Sequence, residues 1–154
     1  MSGVFEVAVQ TAAAAAGAAY CMLQNTDAAD GRVLKLVECG FTTNAATLSK
    51  VGLIAAATVG TPSGTPSPGQ AKCAYDVTTP KGQVVTSWSA PGTIAATPYF
   101  FRQMVAAAVA GSGAVWPDQG DPWEIPPGGA IFLWNFDGSL SGSILSAYFK
   151  WREA

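Results

Sequence analysis

The 154-residue chain has no histidine, and only 12 % of its residues carry charge. Each absence excludes something. General acid–base catalysis most often uses histidine, and neither a Ser-His-Asp nor a Cys-His relay can be built without one. Eight Lys+Arg against ten Asp+Glu leave a formal net charge of −2, and no basic cluster stands out. Neutralising several phosphates takes several clustered cations, so nucleic acid is not an expected partner. Cys21, Cys39 and Cys73 are widely spaced and fall into no Cys-x-x-C or Cys/His pattern. Zinc therefore has nothing to bind. Two of the cysteines could pair in a secreted protein, but the spacing suits free buried thiols in one assembled in a cytosol. The longest apolar stretch, Ala12 to Leu23, is shorter than the roughly 20 residues that cross a bilayer. Glu6 is the only charge before it, and without a basic leader it does not read as a targeting segment. No membrane partner is expected.

Apolar and small residues are abundant instead. Hydrophobic residues make up 49 % of the chain, much of that excess being alanine, and one domain spanning 1–154 is expected from the length. Ordinary soluble domains carry about 25 % charged residues, so this surface must be unusually neutral. A neutral surface favours association, and coverage in an assembly explains it better than an isolated monomer does.

Period-2 alternation runs along most of the chain. "GVFEVAVQT" (3–11) alternates Phe5, Val7 and Val9 against Val4, Glu6 and Ala8, the signature of a half-buried strand. The alanine run that follows reads as a helix by propensity or as an Ala-faced strand, with Gly17 interrupting it. "DAADGR" (27–32) is turn chemistry, and "RVLKLVECGF" (32–41) is a strand with Leu34 and Leu36 on one face. "VGLIAAATVG" (51–60) sets Val51, Leu53, Ala55, Ala57 and Val59 on one side. "TPSGTPSPGQ" (61–70) is a loop that no regular element should contain. "KGQVVTSWSAPG" (81–92) is a short strand aligning Val84, Thr86 and Trp88. "TPYFFRQMVAAAVAGSG" (97–113) has no clean helical stripe and reads as mostly extended, with Phe101, Val105, Ala107 and Val109 on one face.

The last two runs are the clearest. "AIFLWNF" (130–136) places Ala130, Phe132, Trp134 and Phe136 opposite Ile131 and Leu133. "ILSAYFKW" (144–151) places Leu145, Ala147, Phe149 and Trp151 opposite Ile144, Ser146, Tyr148 and Lys150. The Gly/Ser-rich segment between them predicts an antiparallel hairpin with Trp134, Phe149 and Trp151 buried. Short strands separated by Gly/Pro turns, without strand–helix alternation, argue an all-β antiparallel β-sandwich.

Little here carries chemistry. "WPDQGDPWEIPPGG" (116–129) gathers Asp118, Asp121 and Glu124, but a glycosidase needs two carboxyls facing across a cleft. The run also lacks the ligand spacing of a calcium loop. Glycines in "GTPSGTPSPG" precede no lysine, so they form no phosphate loop. The chain is therefore expected not to be an enzyme and to need neither cofactor nor metal. Tyr99, Phe100, Trp116 and Trp123 lie near loops and suit either sugar stacking or subunit packing. With Val4 and Phe5 they form the candidate interface, and segment 1–20 is expected to act as an extended arm that reaches a neighbour.

The pattern resembles the small all-β structural proteins of tailed-phage virions, above all head decoration (cement) proteins. The resemblance rests on the early strand with its small-residue run and "LQN" (23–25), and on "VLKLVECGFTTNAATLSKVGLIAAATVGTPSG" (33–64). It continues through "AYDVTTP" (74–80) and "IPPGGAIFLWN…AYFKWRE" (125–153). It implies a jelly-roll-like fold and a homo-oligomer, commonly a trimer, that binds the major capsid protein on the outside of the head. Such a protein is made and assembled in the host cytoplasm. Tail, baseplate and fibre subunits, and carbohydrate- or receptor-binding modules, share such patterns and stand as the alternative.

Overall fold

A computed structural model describes residues 3–72, 79–94, 100–118 and 120–154. Among them there is no helix, and every strand pairing is antiparallel. The strands are β1 (Val4–Gln10), β2 (Ala19–Asn25), β3 (Leu34–Thr43), β4 (Ser49–Thr58), β5 (Thr61–Pro62), β6 (Ser67–Pro68), β7 (Gln70–Ala71) and β8 (Gly82–Val85). They continue with β9 (Trp88–Ala90), β10 (Thr93–Ile94), β11 (Phe100–Ala106), β12 (Gly113–Pro117), β13 (Trp123–Ile125), β14 (Ala130–Asn135) and β15 (Leu145–Glu153). One sheet runs β12-β3-β15-β1-β7, with β13 also on β3. The other runs β10-β4-β14-β2-β8-β6, with β11 also on β4.

The two sheets share one core, so the fold is two-layered and sandwich-like. Phe5, Val7, Leu34, Leu36, Cys39, Phe41, Phe149 and Trp151 come from the first sheet and meet Tyr20, Cys21, Leu23, Val51, Leu53, Ile131 and Leu133 from the second. Trp151 anchors this core. It is fully buried, stacks on Phe5 at 6.0 Å between ring centroids, and lies where a Cβ at Gly69 or Gly82 would collide with its indole. The alternations of 3–11 and 144–151 hold as read, and Trp134, Phe149 and Trp151 are all buried.

The expected hairpin does not form. β14 pairs with β2 and β4 in one sheet, whereas β15 pairs with β1 and β3 in the other. Both faces of β14 are buried, so it needs a neighbour on each side. Its connection, 136–144, exceeds the two to five residues of a hairpin loop and crosses between layers roughly 10 Å apart. The second face of β14 has its own covering. Residues 59–62 and 88–94 fold over the outside of this sheet, and Trp88, Val59 and Ile94 pack on Met22, Ile54, Val85, Phe132 and Trp134. Trp88 donates its indole N–H to the Val59 carbonyl at 3.2 Å and meets Phe132 edge-on at 6.1 Å.

Several local readings change for the same reason. On β4 the second apolar face is Ile54 and Ala56, under that covering, while Ala55 and Ala57 are exposed or nearly so. The single strand expected at 81–92 is two, because Val84 serves the main core and Val85 the outer cluster before the chain turns at 86–87. The 61–70 loop contributes two-residue pairings at Pro62 and Pro68, which a sheet edge tolerates because a missing N–H can face outward there. The alanine run forms neither helix nor strand before Ala19. In β11 the side chains of Met104 and Ala106 turn inward and Val105 is exposed, as are Ala107 and Val109 beyond the strand, while the side chain of Phe101 lies outside those described. β3 keeps Leu34 and Leu36 inside, and a register shift opposite Lys150/Trp151 then brings Cys39, Phe41 and Thr43 inward as well. Such a bulge adds one residue and moves the alternation by one step.

Within the expected arm, residues 4–10 are not free. β1 pairs with β15 at seven positions, from Val4↔Arg152 to Gln10↔Ser146, and places Phe5 and Val7 in the core.

Candidate functional site

The expected interface residues do not converge. Phe5 is wholly buried against Trp151 and presents nothing to a neighbour. Val4 is half-buried on β1, whereas Trp116 and Trp123 belong to β12 and β13 on the far side of the same sheet. β3 and β15 lie between, about 14 Å of sheet at the usual strand spacing. Trp116 sits in a strand and packs its ring on Phe41, 5.5 Å between centroids. Tyr99 lies outside the described residues, and of Phe100 only the backbone, opening β11, is described.

Two concavities remain as sites for a ligand. The larger, about 540 Å³, lies on the outer face of the first sheet, where Ala8, Gln10, Thr42, Val115, Ser146 and Tyr148 come together. Tyr148 covers Gly40, its cross-strand partner, where a Cβ would strike the ring. Its hydroxyl donates to Glu38 Oε1 at 2.6 Å. Burial, then that bond to a carboxylate, pushes the phenol further above its usual range. The lining offers apolar surface and hydroxyls, with the Glu38 carboxylate bonded to one of them.

The smaller recess, about 250 Å³, is lined by Arg102, Pro117, Asp118, Asp121 and Trp123. The guanidinium of Arg102 stands 5.1 Å over the Trp123 ring, a cation–π distance. Asp118 Oδ1 accepts the Gly120 and Asp121 amides at 2.9 and 2.8 Å, which shapes the turn. Glu124 is drawn off to Lys35 at 3.2 Å. The three acids thus do not face one another, and no cluster of three or more potential metal ligands occurs among the described residues. Cys21 and Cys39 are buried free thiols, and burial holds both far up in the protonated form, where sulfur is inert. Cys73 lies outside the described residues.

The two ends of the fold differ most. At one end, Glu153 is enclosed. Its Oε1 accepts the Lys81 and Gly82 amides at 2.8 and 2.9 Å and the Trp151 indole N–H at 3.2 Å. Its Oε2 pairs with Arg32 Nη1 at 3.0 Å. Asp27 accepts the Arg32 amide at 2.9 Å and lies near the Lys81 ammonium at 3.5 Å. Asn25 ties the same loops by donating to the Arg32 and Ile125 carbonyls at 2.8 and 3.0 Å.

At the opposite end four loops meet: 11–18, 44–48, 107–112 and 136–144. Buried Asn135 donates to the Ala14, Ala15 and Leu140 carbonyls at 3.3, 3.1 and 3.0 Å. The Ser143 amide bonds Ser49 Oγ at 2.8 Å, and Thr43 Oγ1 donates to the Val109 carbonyl at 2.9 Å. These loops hold one charged residue, Asp137, which faces Lys50 at 3.7 Å. Six large apolar side chains are exposed among the described residues, and four of them, Leu48, Val109, Leu140 and Ile144, sit in these loops. Their exposure runs from 39 % at Ile144 to 61 % at Val109. A fifth, Val105, pairs opposite Lys50 on the adjoining end of β11. Each loop is visibly charge-poor in the sequence, but only the crossing of the chain between sheets brings the four together.

Compared with family models, with curated proteins and with solved structures, the chain matches none.

Proposed function

We propose that this protein is a structural component of a tailed-phage virion, a decoration protein that binds the major capsid protein on the outside of the head and stabilises the lattice. The observation that carries the reading is the segregation of the surface. Exposed aliphatic side chains gather on a rigid, nearly charge-free end, while the ion pairs lie mostly elsewhere. Large exposed apolar patches mark interaction surfaces. In this reading the fold is a jelly roll, an architecture that recurs in viral capsid domains. Strand order supports it: β1, β2, β3 and β4 pass alternately between the sheets, β11, β12, β14 and β15 do the same, and the two sets interleave as β12-β3-β15-β1 and β11-β4-β14-β2.

A decoration protein needs no catalytic centre. Binding the assembled lattice but not free subunits stabilises the shell by mass action, and oligomerisation as a trimer would multiply the contacts. With so few charges available, lattice binding should depend only weakly on salt. The test is the copy number in purified virions and the position of a label on the protein. Many copies distributed over the head support the proposal. A handful of copies, or label at the tail tip, overturns it in favour of a tail, baseplate or fibre subunit. A carbohydrate-binding module is the second reading, favoured by the recess that sets Trp123 beside Asp118 and Asp121. Arg102 covers one face of that indole, so a sugar would have to stack on the other.

A further inference from the structure

We infer that the nearly charge-free end is where copies of this chain meet one another around a symmetry axis. The inference rests on the self-associating part of the function proposed above and assigns it a surface. Three properties of the end select the partner. Its four loops contain no Lys, Arg, Trp or Tyr, so they lack what holds a protein to phosphates or to a membrane interface. Their one charge, Asp137, is already matched by Lys50, so a foreign partner would find no ionic pattern to complement. A second copy of the same end needs none. Neutral surface meets neutral surface, and like charges are not brought face to face.

Size and rigidity agree with that occupant. Together the loops supply about as many residues as one side of a standard interface, roughly 20–30. Ordering flexible side chains is a main penalty of association, and most of these residues are Ala, Gly, Ser or Thr, which have few rotamers to lose. The backbone beneath them is held in place by Asn135, Ser143 and Thr43. Leu48, Val109, Leu140 and Ile144 provide the apolar contact. Symmetric homo-oligomers are built from surfaces of this kind, in which one patch meets its own copies.

The test is sedimentation velocity on the purified full chain, with circular dichroism and a urea midpoint as folding controls. The wild type should sediment as a closed oligomer that persists in about 1 M salt, where exposed ionic contacts are screened within about 3 Å. A Val109→Lys/Leu140→Lys variant brings like charges together across the contact, which opposes association. Its dissociation constant should rise at least about a hundredfold, leaving folded monomer. Asp30→Lys, an exposed site at the charged end, should leave the oligomer intact. A monomeric wild type, or a double variant that stays oligomeric, overturns the inference. A double variant that stays oligomeric but no longer binds particles reassigns this end to the shell and leaves the proposed function standing. A monomeric variant that still reaches the particle surface supports both.

Discussion

The two ends of this molecule solve the same problem with different chemistry. Each must tie together loops that arrive from both sheets, and each uses a buried asparagine to do it. Asn25 holds 26–33 against β13, and Asn135 holds 11–18 against 136–144. Around Asn25 the structure adds charge: Glu153, Arg32, Asp27 and Lys81 form a connected set. Around Asn135 it adds almost none and leaves aliphatic side chains in water. A buried carboxylate is expensive to desolvate unless fully matched, and Glu153 is matched by three donors and a guanidinium. The charged end is thus closed within one protomer. The neutral end is internally satisfied along its backbone yet apolar outside, the profile of a surface that another molecule completes.

Removing Glu153 should separate the ends most sharply. Glu153→Ala strands two amides and the Trp151 indole and leaves Arg32 with Asp27 alone as its carboxylate, and breaking a buried pair from one side costs about 3–5 kcal/mol. The urea midpoint should fall accordingly, with the oligomer unaffected at protein concentrations where the fold survives. A loss below about 1 kcal/mol would mean that water replaces the carboxylate and that the network is not buried in solution.

Asn135→Ala comes next. It takes the side-chain amide from three carbonyls, of which Ala14 and Ala15 keep the Gly142 and Ala18 backbone donors, so the loss should be about 1–1.5 kcal/mol. Unlike the Glu153 variant, it should weaken self-association as well, because it loosens the loops that form the contact. Equal oligomer stability in the two variants would erase the distinction between the ends.

Acid should act on both ends at once. Backbone amides lower the carboxyl of Asp27, that of Arg32 most, and the amides of Ser139 and Leu140 do the same for Asp137. A carboxyl whose folded pKa lies below its unfolded value near 3.8 adds stability that is present above that value. The contribution is lost as pH falls through the folded pKa. Chemical denaturation from pH 6 down to pH 2 should therefore show stability falling at the acid limit, less steeply in an Asp27→Asn/Asp137→Asn variant. An identical slope in that variant would remove these two residues from the account.

The smallest effect belongs to the exposed pair Lys35–Glu124. Lys35→Ala should change stability by no more than about 1 kcal/mol, as exposed ion pairs do. A larger loss would mean that Lys35 packs with its stem rather than acting through its charge.

The faces of β1, β14 and β15 were legible in the sequence, and strand partners were not. Ile131 and Leu133 against Phe132 and Trp134 could be read from alternation alone, and each set found its own apolar cluster. Nothing in that alternation says that β14 and β15 belong to different sheets, because a Gly/Ser-rich connection suits a hairpin and a crossing equally well. The bulge in β3 was hidden for a related reason: one added residue leaves composition unchanged while moving Cys39 and Phe41 inward. Among the interface candidates, Phe5 and Trp116 were chosen for being aromatic, and the core claims such side chains first. Most of the exposed large apolar residues are instead aliphatics scattered through four loops, with no periodicity to reveal them.

Val4 pairs with Arg152, and β15 completes the sheet that β1 begins. At translation rates of about 5–20 residues per second, roughly 7–30 s pass between synthesis of the two. Throughout that interval Phe5 and Val7 lack the strand that covers them, and β3 lacks its longest partner. The first sheet therefore cannot close until β15 has been made and is free to pair. Partners so distant in sequence also make the closing step slow. A cell making many copies at once would hold a pool of open chains, and the aggregation-prone surface of that pool is the core-facing side of β1 and β3.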